Sequence, residues 1–165
     1  MSAPRTMGIN VTDVDTSAKL PLGFIYREPA SGDNEGEKHW VYVFNDDSSA
    51  FAQGNVVVRD AGTTTYDGIL SPAAVVPSYR ILGVAQHAIA AGSYGFIQRR
   101  GIAEVLAGTG TIDVNETICC DGSVAGTAME SAALSAAQEF SCDFGWATED
   151  AAAAALATCM IDCQG

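Results

Sequence analysis

Alternation of apolar and polar residues predicts short β-strands in the first half of the chain. Residues 39–44 read His-Trp-Val-Tyr-Val-Phe, so Trp40, Tyr42 and Phe44 share one face and two valines lie on the other. Aromatic and β-branched residues are enriched in strands, and a period of two places alternate side chains on opposite faces. Residues 55–59, Asn-Val-Val-Val-Arg, form the next predicted strand.

The middle of the chain has the most regular strand pattern. Residues 60–78 have the composition of a long surface connection, and Gly101 is expected to end a strand. Gly83 and Gly95, inside strands, suit a tightly curved sheet. Short strands separated by turns every eight to twelve residues indicate a β-sandwich or barrel. The predicted strands of this region cover residues 80–87, 94–99, 102–106 and 113–120.

The C-terminal part of the chain is ambiguous between helix and strand. Residues 130–140 and 148–158 are rich in alanine and have high helix propensity. An alanine run, however, offers little side-chain area to bury. We therefore predict a closing strand over residues 156–163, and a short helix over 149–155 stays open as an alternative. The buried face of that strand is predicted to carry Cys159, Ile161 and Cys163.

Together these patterns predict a mainly β protein. Residues 1–22 contain two prolines and little periodicity, so we expect an irregular N-terminal arm. Residues 23–165 are expected to form a single compact β domain, with one short helix at most.

Charge and composition limit the classes of partner. The chain of 165 residues is 48% hydrophobic and 17% charged, which excludes a disordered protein. Its net charge is −12, and residues 101–165 contain ten acids and no basic residue. Binding to nucleic acid or to an anionic membrane surface depends on Lys and Arg. We therefore expect neither a nucleic-acid partner nor a membrane partner.

The termini and the cysteines indicate a protein made in a reducing cytoplasm. No segment approaches the ~18 apolar residues of a membrane span, and the first residues lack an apolar signal core. The five cysteines are odd in number and include no C-x-x-C pair. We therefore expect buried free thiols rather than disulfides.

Residues capable of catalysis or of metal binding are sparse. A Cys–His nucleophile pair needs a thiol and an imidazole in contact, and only His39 and His87 are present. A structural zinc site needs about four closely spaced Cys or His ligands, which the sequence does not offer. The aromatic stripe at residues 40–44 could bind sugar rings, although such stripes more often belong to the core. We expect no enzyme activity, no cofactor and no metal.

Three stretches of the sequence resemble a known class of proteins. Residues 37–58 contain a strand with Tyr-Val and a turn of the form Ala-x-Gly-x-Val-Val. Residues 80–105 contain a Gly-Val-Ala hairpin that continues as Tyr-Gly-Phe-Ile-Gln. Residues 144–147, Phe-Gly-Trp-Ala, precede the last strand. This order resembles the small capsid decoration (cement) or head-associated proteins of tailed phages.

The resemblance implies a compact β-barrel or β-tulip domain without catalytic residues. It also implies a virion protein on the capsid exterior that binds the major capsid protein and other copies of itself, often as trimers. Such a protein would stabilise the shell. We expect the contacts to capsid or to other copies to come from the N-terminal arm and from one arginine pair. The predicted contact residues are Arg5, Met7, Ile9, Val11, Leu20, Arg99 and Arg100.

Two other functions fit parts of the sequence. One is the base of a head fibre or a glycan-binding adhesion module that uses exposed aromatic residues. The other is an enzyme with Cys119 or Cys120 as nucleophile, which would require a nearby histidine and a reactive thiolate.

Overall fold

The described part of the chain consists mainly of β-strands. The computed structural model describes residues 8–30, 36–60, 65–134 and 141–165. Two short 3-10 helices cover Ser78–Arg80 and Ser131–Ala133, and no helix among the described residues could span a membrane. The strands are β1 (Val14–Asp15), β2 (Ile25–Glu28), β3 (Lys38–Asn45), β4 (Val56–Arg59), β5 (Asp67–Leu70), β6 (Ile81–Val84), β7 (Tyr94–Leu106), β8 (Thr117–Cys120), β9 (Ala128–Glu130), β10 (Gly145–Ala147) and β11 (Leu156–Asp162).

Five of these strands close into a barrel. Strand β3 pairs with β7 and, in parallel, with β5. Strand β4 pairs with both β5 and β6, and β6 pairs with β7, which completes the circuit. Closure leaves these five strands without a free edge, because each one has two neighbours. The prediction of a mainly β domain built on a small barrel is therefore confirmed.

Large apolar side chains fill the barrel. Alternate residues of each strand point inward, as the period of two requires. Tyr66 and Leu70 pack against this cluster from its margin. The buried interior residues are Val41, Val43, Phe51, Val57, Leu82, Ala85, Ile89 and Ile97.

Strand β7 belongs to two sheets. Its first half lies in the barrel, and its second half pairs with β11 from Arg100 to Leu106. The second half of β7 and strands β11, β10, β8 and β9, in that order, form what we call the second sheet. Gly101 lies at the transition with a φ of 99°, a conformation that glycine adopts without strain.

A second core lies between this sheet and the outside of the barrel. Val56, Val58, Ile81 and Val84 on the barrel belong to the same buried cluster as the inner face of the second sheet. That inner face is made of small and medium side chains, which allow the two layers to approach closely. It includes Ala103, Val105, Ile118, Cys120, Phe144, Ala157, Cys159, Ile161 and Cys163.

A third cluster covers another side of the barrel. Trp40, Tyr42 and Phe96, which we call the aromatic cluster, are buried on the outer face of β3 and β7. The rings of Tyr42 and Phe96 lie 5.1 Å apart between centroids. The indole Nε1 of Trp40 donates a hydrogen bond of 2.9 Å to Glu28. These aromatic side chains are therefore core residues.

The structure corrects two of the predicted elements and resolves a third. Residues 60–78 contain strand β5, which closes the barrel, and are not merely a surface connection. Residues 94–106 form one strand, because the positive φ at Gly101 bends it without ending it. Residues 149–155 contain no helix, and Ala151 forms a bridge with Ile112. The closing strand is confirmed as β11, with Cys159, Ile161 and Cys163 buried.

Replacing Gly101 tests whether the bend of β7 stabilises the whole fold. A Cβ at this position would lie 2.7 Å from the carbonyl oxygen of Glu37, in addition to the cost of its positive φ. We expect Gly101→Ala to lower the free energy of unfolding by about 2 kcal/mol or more. Gly110→Ala is the control, since a Cβ added there would have no other atom within 4 Å. Equal urea midpoints for both variants would contradict this account of the bend.

Candidate docking surfaces

The apolar residues of the N-terminal segment pack on their own domain. Ile9, Val11 and Leu20 are partly buried against the aromatic cluster. Arg5 and Met7, the other predicted contact residues of this segment, lie outside the described residues. The part of the predicted arm that the structure describes therefore covers one side of the barrel.

A polar network fastens this segment to the barrel. The hydroxyl of Tyr42 donates a 3.1 Å hydrogen bond to the carboxylate of Asp15, and Lys19 Nζ lies 2.6 Å from the same carboxylate. The side chain of Asp15 is only 11% exposed. Strand β1 adds backbone pairing with the start of β7. These contacts commit the segment to intramolecular packing.

Three arginines of this acidic chain gather at one corner. Arg27 on β2 pairs with His39 on β3, His39 pairs with Arg100 on β7, and Arg100 pairs with Asp162 on β11. These four residues form one cross-strand row. Arg99 lies next to it, and we call the site the arginine corner.

Arg99 and Arg100, the predicted arginine pair, have different surroundings at this corner. Arg99 is partly buried, and its Nε donates a 3.0 Å hydrogen bond to the carbonyl of Cys163. Arg100 is 58% exposed and lies 3.9 Å from Asp162, which is the outer limit of an ion pair. Arg27 is 72% exposed and lies 4.0 Å from Glu37. Surface pairs at such distances contribute little, so the guanidinium groups of Arg27 and Arg100 remain available to a partner.

The cysteines are free and buried, and they show no sign of nucleophilic activation. Burial raises the pKa of Cys119, Cys120 and Cys159 to about 12, and it also raises the pKa of Cys163. A reactive thiolate needs the opposite shift. The described residues contain no group of three His, Cys, Asp or Glu side chains that could hold a metal ion.

His87 is isolated from acid–base partners. Neither ring nitrogen has a hydrogen-bond partner among the residues that the structure describes. Burial lowers the pKa of His87, and the charge of Asp13 only partly opposes that effect. Burial therefore favours the neutral imidazole, and no hydroxyl or thiol of the described residues forms a hydrogen bond with it.

Asp121 is a buried carboxylate that the sequence did not single out. Its oxygens accept hydrogen bonds from the backbone and hydroxyl of Ser123, at 2.7 and 2.6 Å, and from the backbone of Thr109 at 3.2 Å. Burial alone would raise the pKa of Asp121, but these hydrogen bonds outweigh it and lower the pKa. The group holds two loops together, which is a structural role. Asp-Gly is a dipeptide typical of turns, and Asp121 and Gly122 directly follow strand β8.

Comparison with known proteins supports the fold. No protein-family model and no curated protein matches the sequence. The crystal structure of the head fiber gp8.5 N base in bacteriophage phi29 is similar, with a TM-score of 0.51 and 18% sequence identity. The match covers 74% of this chain and 94% of that chain. The two chains therefore share a fold over nearly the whole of the phage domain.

The buried thiols predict resistance to alkylation. Because a pKa of about 12 leaves almost no thiolate, Cys119, Cys120 and Cys159 should stay unmodified by iodoacetamide in the native protein at about pH 8. All five cysteines should react in guanidinium chloride. Mass spectrometry of the peptides measures both states. Tyr79→Cys, at a position that is 63% exposed, is the positive control. Fast native labelling of Cys119 or Cys120 would revive the enzyme hypothesis.

The isolation of His87 predicts a pH effect on stability. Its folded-state pKa lies below the unfolded value of about 6.5, so its stabilising contribution is complete above that pH. The contribution is lost as pH falls through the folded-state pKa, because protonation then favours the unfolded chain. We expect the urea midpoint to fall between about pH 7 and 5, and to fall less in His87→Phe. An identical decline in the variant would show that His87 is not responsible.

Proposed function

We propose that the protein is a structural component of a tailed-phage head that binds the outside of the capsid and stabilises it. The observation that carries this proposal is the fold shared with a phage head fiber base over 94% of that chain. The resemblance of residues 37–58 and 80–105 to capsid decoration proteins points to the same class. These are separate observations, since one rests on the arrangement of strands and the other on the sequence.

The surface chemistry favours docking over catalysis. The thiols are buried and His87 has no partner among the described residues, so we propose no enzyme activity and no cofactor. The net charge of −12 disfavours nucleic acid as a partner. What the described surface offers instead is a rigid sheet with exposed apolar residues and an arginine corner. Such a surface suits a protein partner, which we propose to be the major capsid protein together with other copies of this chain.

The proposed mechanism is physical. A protein that binds only the assembled shell stabilises that shell by mass action. The stabilising free energy grows with the logarithm of the protein's concentration divided by its Kd for the shell. Several linked copies, such as the trimer that the resemblance implies, would add weak contacts through effective concentration. Since Ile9, Val11 and Leu20 pack on the domain itself, we place the docking contacts on the exposed faces of the sheets.

A second candidate is the base of a head fibre. The name of the similar structure favours it, because that protein is described as the base of a head fiber. Both candidates bind the head from outside. They differ in effect, since a cement protein stabilises the shell whereas a fibre base mainly carries a projection.

Adding the purified protein to heads that lack it distinguishes these functions. Co-sedimentation measures occupancy, and a fluorescent dye reports the temperature at which DNA is released. We expect saturable binding and a higher release temperature at full occupancy. An unrelated acidic protein of similar size is the control for non-specific charge effects.

Each other outcome has a definite meaning. Saturable binding without a change in release temperature would replace cementing by the head-fibre base. Absence of binding at high protein concentration would overturn both functions.

A further inference from the structure

The outward face of the second sheet has an ordered arrangement of charge. Strands β7 and β11 are paired in continuous antiparallel register, so their outward residues form cross-strand rows. Successive rows lie about 7 Å apart along the strands. We call this surface the outer face. From one end to the other, its rows are Leu106 with Leu156, Glu104 with Thr158, Ile102 with Met160, and Arg100 with Asp162.

The third of these rows is apolar and extends onto a third strand. Trp146 on β10 pairs with Met160, which pairs with Ile102. Trp146 is 47% exposed, while Met160 and Ile102 are half-buried. An exposed tryptophan in line with two further apolar side chains is typical of a protein contact.

The charges on the two sides of this apolar row differ. On one side, the hydroxyl of Thr158 lies within hydrogen-bond distance of Glu104, at 3.1 Å, and of Glu149, at 2.6 Å, which places two carboxylates together. On the other side lies the row of the arginine corner, where the exposed Arg100 and Arg27 lie beside Asp162 and Glu37. One side is therefore acidic, and the other side mixes arginines with carboxylates.

This arrangement is complementary to itself under a twofold rotation. An axis along the apolar row reverses the strand direction of the second copy and keeps each strand opposite its equivalent. Ile102 lies midway between Arg100 and Glu104 on β7, so each Arg100 then faces Glu104 of the other copy. Asp162 falls opposite Thr158 in the same way, and the nearby carboxylates of Glu104 and Glu149 oppose this part of the contact. Closed twofold contacts of this kind use the same patch on both subunits.

We propose that the outer face binds a second copy of this chain about that twofold axis. The apolar row would pack against itself, and two Arg100–Glu104 pairs would fix the orientation. This contact does not depend on capsid binding, and it is separate from the trimer that the resemblance implies, because a twofold axis joins copies in pairs. It assigns Arg100 to contacts between copies and leaves the remaining exposed surfaces for a capsid.

The size of the outer face sets the strength of this contact. The four rows lie on β7 and β11, with Trp146 added from β10, and at a strand spacing of about 4.8 Å they give a surface of roughly 300 Å² per copy, or about 600 Å² in total. That is below the usual size of stable, specific protein–protein interfaces. The net charge of −12 on each copy also opposes association. We therefore expect a weak, concentration-dependent dimer, in which the local charge pairs supply specificity more than affinity.

Charge reversal tests this geometry directly by sedimentation velocity. Arg100→Glu places like charges opposite each other twice in the dimer, and so does Glu104→Arg. Each variant alone should associate about tenfold more weakly than the wild type. Because the two changes are complementary, an equimolar mixture of the single variants should form a one-to-one dimer with restored affinity. Misfolding of either variant could not produce that recovery, and far-UV circular dichroism checks the fold of each.

Matched substitutions separate the outer face from the rest of the surface. Trp146→Ser should weaken the dimer, whereas Tyr79→Ser, at a more exposed aromatic position elsewhere, should not. Asp46→Arg makes the same charge change as Glu104→Arg, on an exposed turn after β3, and should not prevent self-association. A monomeric wild-type protein at high concentration would overturn the proposal. So would an oligomer that is unaffected by the outer-face variants, or single variants that fail to associate when mixed.

Discussion

The bend of strand β7 at Gly101 is the constraint on which the rest of the structure depends. Before the bend the strand closes the barrel, and after it the strand carries the second sheet. A residue with a side chain would meet the Glu37 carbonyl, so the bend requires glycine. The bend also brings β2, β3, β7 and β11 together at one corner. The packing of the two layers and the location of the arginine corner both follow from this single backbone position.

The division of buried and exposed residues determines which surfaces of the molecule are free for contact. Small side chains on the inner face of the second sheet let it pack closely on the barrel. The N-terminal segment covers the aromatic cluster, so those apolar residues are already used. The outer face of the second sheet is left with its tryptophan and its charges exposed. Cys120, Cys159 and Cys163 lie between the layers, where burial raises the pKa of each thiol. The outer face and the arginine corner are among the surfaces that this arrangement leaves exposed.

Sequence patterns predicted the fold class well, because alternation and turn residues report directly on local structure. The valine-rich and aromatic strands and the buried cysteines of β11 were predicted from such signals. Strand β5 was missed because four residues, Asp-Gly-Ile-Leu, carry too short a pattern. Gly101 was misinterpreted because a glycine that ends a strand and one that bends it look alike in sequence. The outer face could not be predicted, since Arg100, Glu104, Trp146 and Met160 meet only through long-range pairing.

We propose that this domain is part of a phage head and acts through its contact surfaces. Cryo-electron microscopy of heads from the phage that encodes the chain tests it most directly. The account predicts density on the outer surface of the shell that fits the five-stranded barrel and its second sheet. Heads with no such density, or with the domain inside the shell, would contradict it.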